Sequence, residues 1–192
     1  MFINWAQREL HLKIVYYGPA LSGKTTNLEY IHANTPAHLR TKLISLKTQQ
    51  DRTLLFDFLQ LDVGEVANLK PKFKLYTVPG QMYYAASRKI IMHGVDGVIF
   101  VADSQAGRMH DNQECWFGME QHMLELGLST KQIPITIQFN KRDLPHAVAV
   151  EKLRRPFPNF VCIEASAATG LGVLETLKAS MKSVITQVRA QL

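Results

Sequence analysis

Long apolar runs are missing from this chain of 192 residues. No stretch approaches the ~18 residues that crossing a bilayer takes, so no integral membrane segment is expected. Cysteine is scarce: Cys115 and Cys162 are the only two, and neither has a cysteine or histidine nearby at metal-ligand spacing. That sets aside a disulfide scaffold and a zinc finger, and predicts two reduced structural thiols in a cytoplasmic protein. The seven histidines show no metal-like spacing. Basic runs interleaved with stacking aromatics are absent, which disfavours nucleic acid as a partner. The opening Met1-Phe2-Ile3-Asn4-Trp5 lacks a basic region followed by an apolar stretch, so no secretion signal is predicted. Residue 2 is Phe rather than Gly, and no cysteine lies near the C-terminus, so neither a myristoyl nor a prenyl anchor is expected. Any membrane or polar address should therefore be peripheral and borne by a partner.

What the chain does have is an ordinary globular composition, 46% hydrophobic and 20% charged, enough for one domain over 1–192 with a full core. Its net charge of +6 is uneven. Residues 1–96 carry 12 Lys+Arg against 7 Asp+Glu, and residues 97–192 carry 10 against 9. Lys70, Lys72 and Lys74 alternate, so on a strand they share one face. They read as a solvated edge strand guarded by lysines, with an acidic partner or anionic lipid as the alternative.

Strands and helices alternate along the sequence. Leu12–Tyr17 is a short apolar run ending at Gly18, and Lys24 to about Ala33 is helical, stopping before Pro36. Residues 37–52 read as loop around a short strand at Leu43–Leu46. Thr53–Leu59 and Phe73–Val78 are strand-like, with Asp62-Val63-Gly64 as turn material. A short helix, Ala85–Met92, closes at Gly94. Gly97–Ala102 and Ile133–Phe139 are unbroken apolar runs of the kind buried on both faces of a sheet. Asp111 to about Leu126 is helical up to Gly127. A short helix near Val150–Arg155 breaks at Pro156, Phe160–Ile163 is the last strand, and Leu171–Leu192 is a helix with one buried stripe. Strand–helix repetition of this kind implies a mostly parallel sheet covered on both faces.

Two segments about 115 residues apart carry the chemistry. Gly18-Pro19-Ala20-Leu21-Ser22-Gly23-Lys24-Thr25 fits G-x-x-x-x-G-K-[ST]. Its glycines let the chain turn amide N–H groups around phosphates, Lys24 and the following helix add positive potential, and Thr25 offers a hydroxyl to Mg²⁺. Asn140-Lys141-Arg142-Asp143 fits N-K-x-D. The Asp143 carboxylate can accept two N–H bonds from a guanine edge; adenine has no such donor pair and would leave it unpaired. Together, in this order, they predict a site for GTP and GDP. They argue against a small-molecule kinase or ATPase, which would share the phosphate loop but not the second segment.

With a strand ending in Pro79-Gly80-Gln81 and with Ser166-Ala167 near the end, the chain resembles a Ras-like small GTPase. Ile14–Pro19, Asp51–Phe58, Leu75–Gln81, Ala86–Lys89, Gly94–Val98 and Asn140–Pro145 are similar to the bacterial gliding-motility MglA family, along nearly the whole chain. The resemblance implies a Ras-like P-loop GTPase domain: an α/β fold whose mostly parallel sheet has one antiparallel edge strand and helices on both faces. It implies a GTP-hydrolysing switch for bacterial cell polarity and motility, an MglB-type Roadblock GTPase-activating partner, and recruitment to the cell pole.

By the same resemblance, Gly18, Ala20, Ser22, Gly23, Lys24, Thr25 and Thr26 cradle the phosphates. Thr53 is a second Mg²⁺ ligand beside Thr25. Arg52 stabilises charge on the transferring phosphoryl group, and Gln81 orients the attacking water. Gly80 offers its N–H to the γ-phosphate, Asn140 braces the phosphate loop, Lys141 lies along the base, and Ser166-Ala167 presents an N–H to guanine O6. Ras-like proteins mostly carry Asp at the position of Thr77. The MglA family carries Thr there, which agrees with the assignment and implies a weaker electrostatic hold on the metal.

Ala20 departs from the family glycine. Its methyl points into the space that Gln81 and Arg52 share near the γ-phosphate, where a misplacement of about 1 Å can cost ~100-fold in rate. Two readings follow: a cycling GTPase, or a GTP-loaded binding module with negligible turnover.

Overall fold

The apolar run at Leu12–Tyr17 forms the C-terminal two thirds of a longer strand at the centre of the sheet. The computed structural model describes residues 1–47, 53–65, 68–80 and 84–191. Its strands are β1 (Phe2–Asn4), β2 (Glu9–Tyr17), β3 (Ile44–Lys47), β4 (Thr53–Asp62), β5 (Lys70–Thr77), β6 (Gly97–Asp103), β7 (Ile135–Asn140) and β8 (Val161–Glu164). Its helices are α1 (Lys24–Ala33), α2 (Ala85–Met92), α3 (Met109–Glu125), α4 (Val150–Arg154) and α5 (Val173–Arg189). The strand order is β3-β4-β5-β2-β6-β7-β8. Strands β5, β2, β6, β7 and β8 run parallel. The antiparallel direction expected at one edge is carried by β4 against β5, and the short β3 pairs antiparallel outside it.

The period-two pattern of β2 splits its side chains between two cores. Leu10, Leu12, Ile14 and Tyr16 pack with Leu28 and Ile31 of α1 and with Val173, Leu177, Met181, Val184 and Val188 of α5. Val15 and Tyr17 belong to the opposite cluster, with Met92 of α2 and Cys115, Met119 and Met123 of α3. There Trp116 sits edge-on to Phe100 at 5.1 Å, Phe157 at 4.8 Å and Phe160 at 5.3 Å. Trp5, the other tryptophan, is 71% exposed. Strands β6 and β7 are buried along their whole length, as their apolar runs predict. Cys115 and Cys162 are both free thiols. No helix among the described residues is long and apolar enough to cross a membrane.

Two features differ from the sequence reading. Strand β1 was not foreseen; it pairs antiparallel with the first residues of β2, across a turn in which Arg8 takes φ 53. Three residues are too few to show a period. The lysine-guarded edge is the second difference, because β5 lies inside the sheet between β4 and β2. Lys70, Lys72 and Lys74 do share a face, but that face is an open stretch of sheet rather than an edge. Lys72 is ion-paired there to Glu9 at 3.2 Å and Asp62 at 3.0 Å, while Lys74 lies beside Lys13 in register.

Helix α5 approaches the sheet where β6 begins. A Cβ on Gly97 would lie 2.4 Å from Val184 Cγ2, a branched atom with no room to yield. Gly97→Ala is therefore expected to cost about 1–3 kcal/mol in overpacking, read as a lower urea midpoint. Adding Val184→Ala should recover part of that loss, although Val184→Ala alone destabilises.

Candidate functional site

The phosphate loop leaves the end of β2 and enters α1 within seven residues, a path that ordinary backbone does not take. Gly18 turns at φ 150, where a Cβ would meet the Val101 carbonyl at 2.3 Å. Gly23 turns at φ 98 against the Asn140 side chain. Leu21 between them adopts φ 62, and Lys141 in the second motif φ 67. Two non-glycine residues in left-handed backbone store on the order of 1–3 kcal/mol each, and such strain collects at ligand sites. Among the described residues, no side chain caps the start of α1.

Lys24 is buried beneath the loop. Its ammonium donates to the carbonyls of Gly18 at 2.9 Å and Pro19 at 2.7 Å. Burial pushes its pKa down to about 8, because desolvation disfavours the charged form. Anionic phosphate oxygens are what such a cation lacks. Ser22 is buried, with its Oγ unpartnered among the described residues, and Thr26 is exposed on the first turn of α1.

Asn140, 2% exposed at the end of β7, joins the two motifs. Its Nδ2 donates to the Ser22 carbonyl at 2.7 Å, and its Oδ1 accepts from the Ala167 N–H at 2.8 Å. Lys141 Nζ is held by Asp103 Oδ2 at 2.7 Å and Gln105 Oε1 at 3.0 Å, which fixes the course of its aliphatic stem. Asp143 is exposed, and its carboxylate has no hydrogen-bond or ion-pair partner among the described residues. The Ser166–Gly170 turn closes this side. The N–H of Ser166 goes to Leu171 O at 2.9 Å and that of Ala167 to Asn140. Neither N–H of Ser166-Ala167, where one was expected to face guanine O6, is thus left over. Ala168 has the first N–H of the turn with no intramolecular acceptor among the described residues.

Opposite the phosphate loop, Gly80 packs directly on Ala20, where a Cβ would lie 2.3 Å from Ala20 Cα. Arg88 of α2, 2% exposed, holds this approach. Its Nε donates to Pro79 O at 2.8 Å and its Nη2 to Gly80 O at 2.6 Å, and its guanidinium stacks over the Tyr17 ring at 5.6 Å. Arg108 donates to the Ala20 carbonyl at 2.6 Å. Thr53 heads β4 and pairs through its backbone with Lys47. Arg52 and Gln81, the two expected catalytic residues, lie outside the described residues.

Arg88, Arg108 and Asp57 were not singled out as functional from the sequence. Asp57 on β4 is fully buried and hydrogen-bonds Thr25 Oγ1 at 2.6 Å. One signal pointed to it: with Thr77 where most Ras-like proteins have Asp, a carboxylate had to come from somewhere else.

Asn140→Ala should leave the Ser22 carbonyl and the Ala167 N–H without partners, at roughly 1–3 kcal/mol for each buried group. The expected result is a lower urea midpoint of the nucleotide-free protein, together with weaker GDP binding.

No protein-family model matches the chain. The mutual gliding-motility protein MglA of Myxococcus xanthus (strain DK1622) is 53% identical to it over 190 residues, which cover 98% of this chain and 97% of the relative. With that identity along almost the full length of both proteins, and with both nucleotide motifs gathered at one end of a mostly parallel sheet, the chain belongs to the MglA family of Ras-like small GTPases.

Proposed function

We propose that this protein is a guanine-nucleotide switch that hydrolyses GTP to GDP and phosphate and controls bacterial cell polarity and motility through nucleotide-dependent partner binding. The observation that carries the reading is the Asn140 amide. By holding Ser22 on one side and Ala167 on the other, it makes one cleft from the phosphate-binding and base-binding segments. The motility role comes from kinship with the gliding-motility protein.

In this reading the loop from Gly18 to Thr26, with Ala20, Ser22 and Gly23, surrounds the phosphates, and Lys24 meets the β- and γ-phosphates. Asp143 accepts two hydrogen bonds from the guanine edge, Lys141 lies along the base, and O6 is met from the Ser166–Ala168 turn. Gly80 donates its N–H to the γ-phosphate, Gln81 orients the attacking water, and Arg52 balances charge on the transferring group. Thr25 and Thr53 would hold Mg²⁺, which when bound neutralises phosphate charge as the leaving oxygen departs. The donors fit a hard cation, because hydroxyl and carboxylate oxygens converge on the start of α1. A Roadblock-type activating partner of the MglB kind and the pole of the cell complete the proposed cycle, with no nucleic acid and no integral membrane segment involved.

The tight seat of Gly80 on Ala20 favours a second reading, a GTP-loaded binding module with negligible turnover. In that reading the Ala20 methyl takes the space that a water-orienting glutamine and a charge-stabilising arginine need near the γ-phosphate. Single-turnover hydrolysis of GTP·Mg²⁺ by the native protein and by Ala20→Gly, each with and without an MglB-type partner, decides between the two. A cycling switch turns over and is accelerated by the partner. A loaded module retains GTP, while Ala20→Gly hydrolyses it. Asp143→Ala should weaken GDP binding by about 1.5–3 kcal/mol for each charge-assisted bond lost, measured by fluorescent-nucleotide titration. Effective competition by ATP in the native protein would end the guanine reading.

A further inference from the structure

Ala20 and Leu21 form the middle of a tight turn in the phosphate loop, closed by the Ser22 N–H donating to the Pro19 carbonyl at 3.3 Å. Leu21, the third residue of this turn, has φ 62. A positive φ at the third position belongs to turns of type II, where glycine is favoured. In a type I turn the same residue has a negative φ, which suits leucine. The two types differ chiefly in the peptide between the central residues. Turning it over exchanges the sides to which its carbonyl and its N–H point. The residue at position 21 therefore prefers one orientation of the Ala20–Leu21 peptide, and the loop adopts the other.

Arg108, from the short turn Ala106–Arg108 between β6 and α3, holds that orientation. Its Nη2 donates to the Ala20 carbonyl at 2.6 Å. The guanidinium is itself fixed by an ion pair from Nη1 to Asp111 and by Asp103 Oδ2, which lies 3.6 Å from Nε. Asp103 is fully buried at the end of β6, and the Asn112 side chain bonds both its N–H and its carbonyl at 2.9 Å. The same Oδ2 accepts from Lys141 Nζ at 2.7 Å. A path of fixed groups thus runs from the base-side motif through Asp103 and Arg108 to Ala20, separate from the Asn140 brace at Ser22.

The carbonyl and the N–H of a planar trans peptide point in opposite directions. With the Ala20 carbonyl bonded to Arg108, the Leu21 N–H faces away from the arginine, and it has no acceptor among the described residues. We propose that Arg108 is a positioning residue for the nucleotide: it holds the Ala20–Leu21 peptide against the preference of Leu21, so that the Leu21 N–H is presented to the phosphates. Arg108 acts through that peptide and not by contact with the nucleotide. The inference rests on the guanine-nucleotide reading of the site.

The test is a double-mutant cycle on the binding of a fluorescent GDP analogue at millimolar Mg²⁺, using native protein, Arg108→Ala, Leu21→Gly and the double variant. Arg108→Ala should bind about 10–100-fold more weakly, as expected for losing one hydrogen bond to a charged group. In the Leu21→Gly background the same substitution should cost much less, because glycine takes positive φ about as readily as negative. An Arg108→Ala protein that binds GDP as tightly as the native chain overturns the proposal. So does a loss of equal size in both backgrounds, which is what a role in bulk charge or general stability would give. Should Arg108→Ala not fold, the ¹⁵N–¹H signal of Leu21 in the native protein decides. It should move strongly when GDP is added, while that of Leu128, ahead of β7 at the opposite end of the sheet, stays in place. A Leu21 signal that moves no more than that of Leu128 overturns the proposal. A native protein that binds no GDP overturns the guanine reading itself, a result distinct from GDP binding that loss of Arg108 leaves unchanged.

Discussion

One buried side-chain amide holds the ligand-binding end of this protein together. Asn140 reaches from the last residue of β7 to a carbonyl of the phosphate loop on one side and an N–H of the base-side turn on the other. Gly23, in the same phosphate loop, makes room for it, because a Cβ there would lie 2.2 Å from Asn140 Nδ2. Two loops from distant parts of the chain therefore share one reference point on a rigid strand. Binding by a nucleotide then has little ordering of these loops to do, which favours affinity without enlarging the contact.

Around that brace, two buried cations have no ion-pair partner among the described residues. Lys24 and Arg88 are both nearly inaccessible, and both are satisfied chiefly by backbone carbonyls. Carbonyl dipoles meet the hydrogen-bonding needs of a cation and leave its charge in place. The region between Gly18 and Gly80 thus remains electropositive and suited to a polyphosphate, in a medium where charge interactions are stronger than in water. The buried Asp57 carboxylate, hydrogen-bonded to Thr25 at the start of α1, supplies the opposite sign.

Much of this was legible in the sequence because it is local. The glycines, Lys24, Thr25, Asn140 and Asp143 lie in contiguous motifs whose spacing carries their chemistry, and the apolar runs of β6 and β7 are long enough to read directly. Features that depend on strand order were not. Lys70, Lys72 and Lys74 looked like an edge because alternation fixes a face and says nothing about neighbours. Asp57 looked like part of an ordinary strand because its partners, Ser45, Thr25 and Thr77, come from three other elements. The Ser166–Ala167 turn was located correctly, yet the question of which N–H stays free depends on Asn140 and Leu171, and so on tertiary structure. Arg52 and Gln81, assigned by resemblance alone, fall outside the described residues.

The aromatic cluster beneath α3 has a spectroscopic consequence. The chain has two tryptophans, and their surroundings are opposite: Trp116 is enclosed by Phe100, Phe157 and Phe160, while Trp5 projects from the turn after β1. Emission is therefore a sum of a blue-shifted core component and a red-shifted surface component. A dissolved collisional quencher reaches only the second. Replacing Trp5 by phenylalanine converts the protein into a single-fluorophore reporter of the core between β6 and α3, free of surface signal.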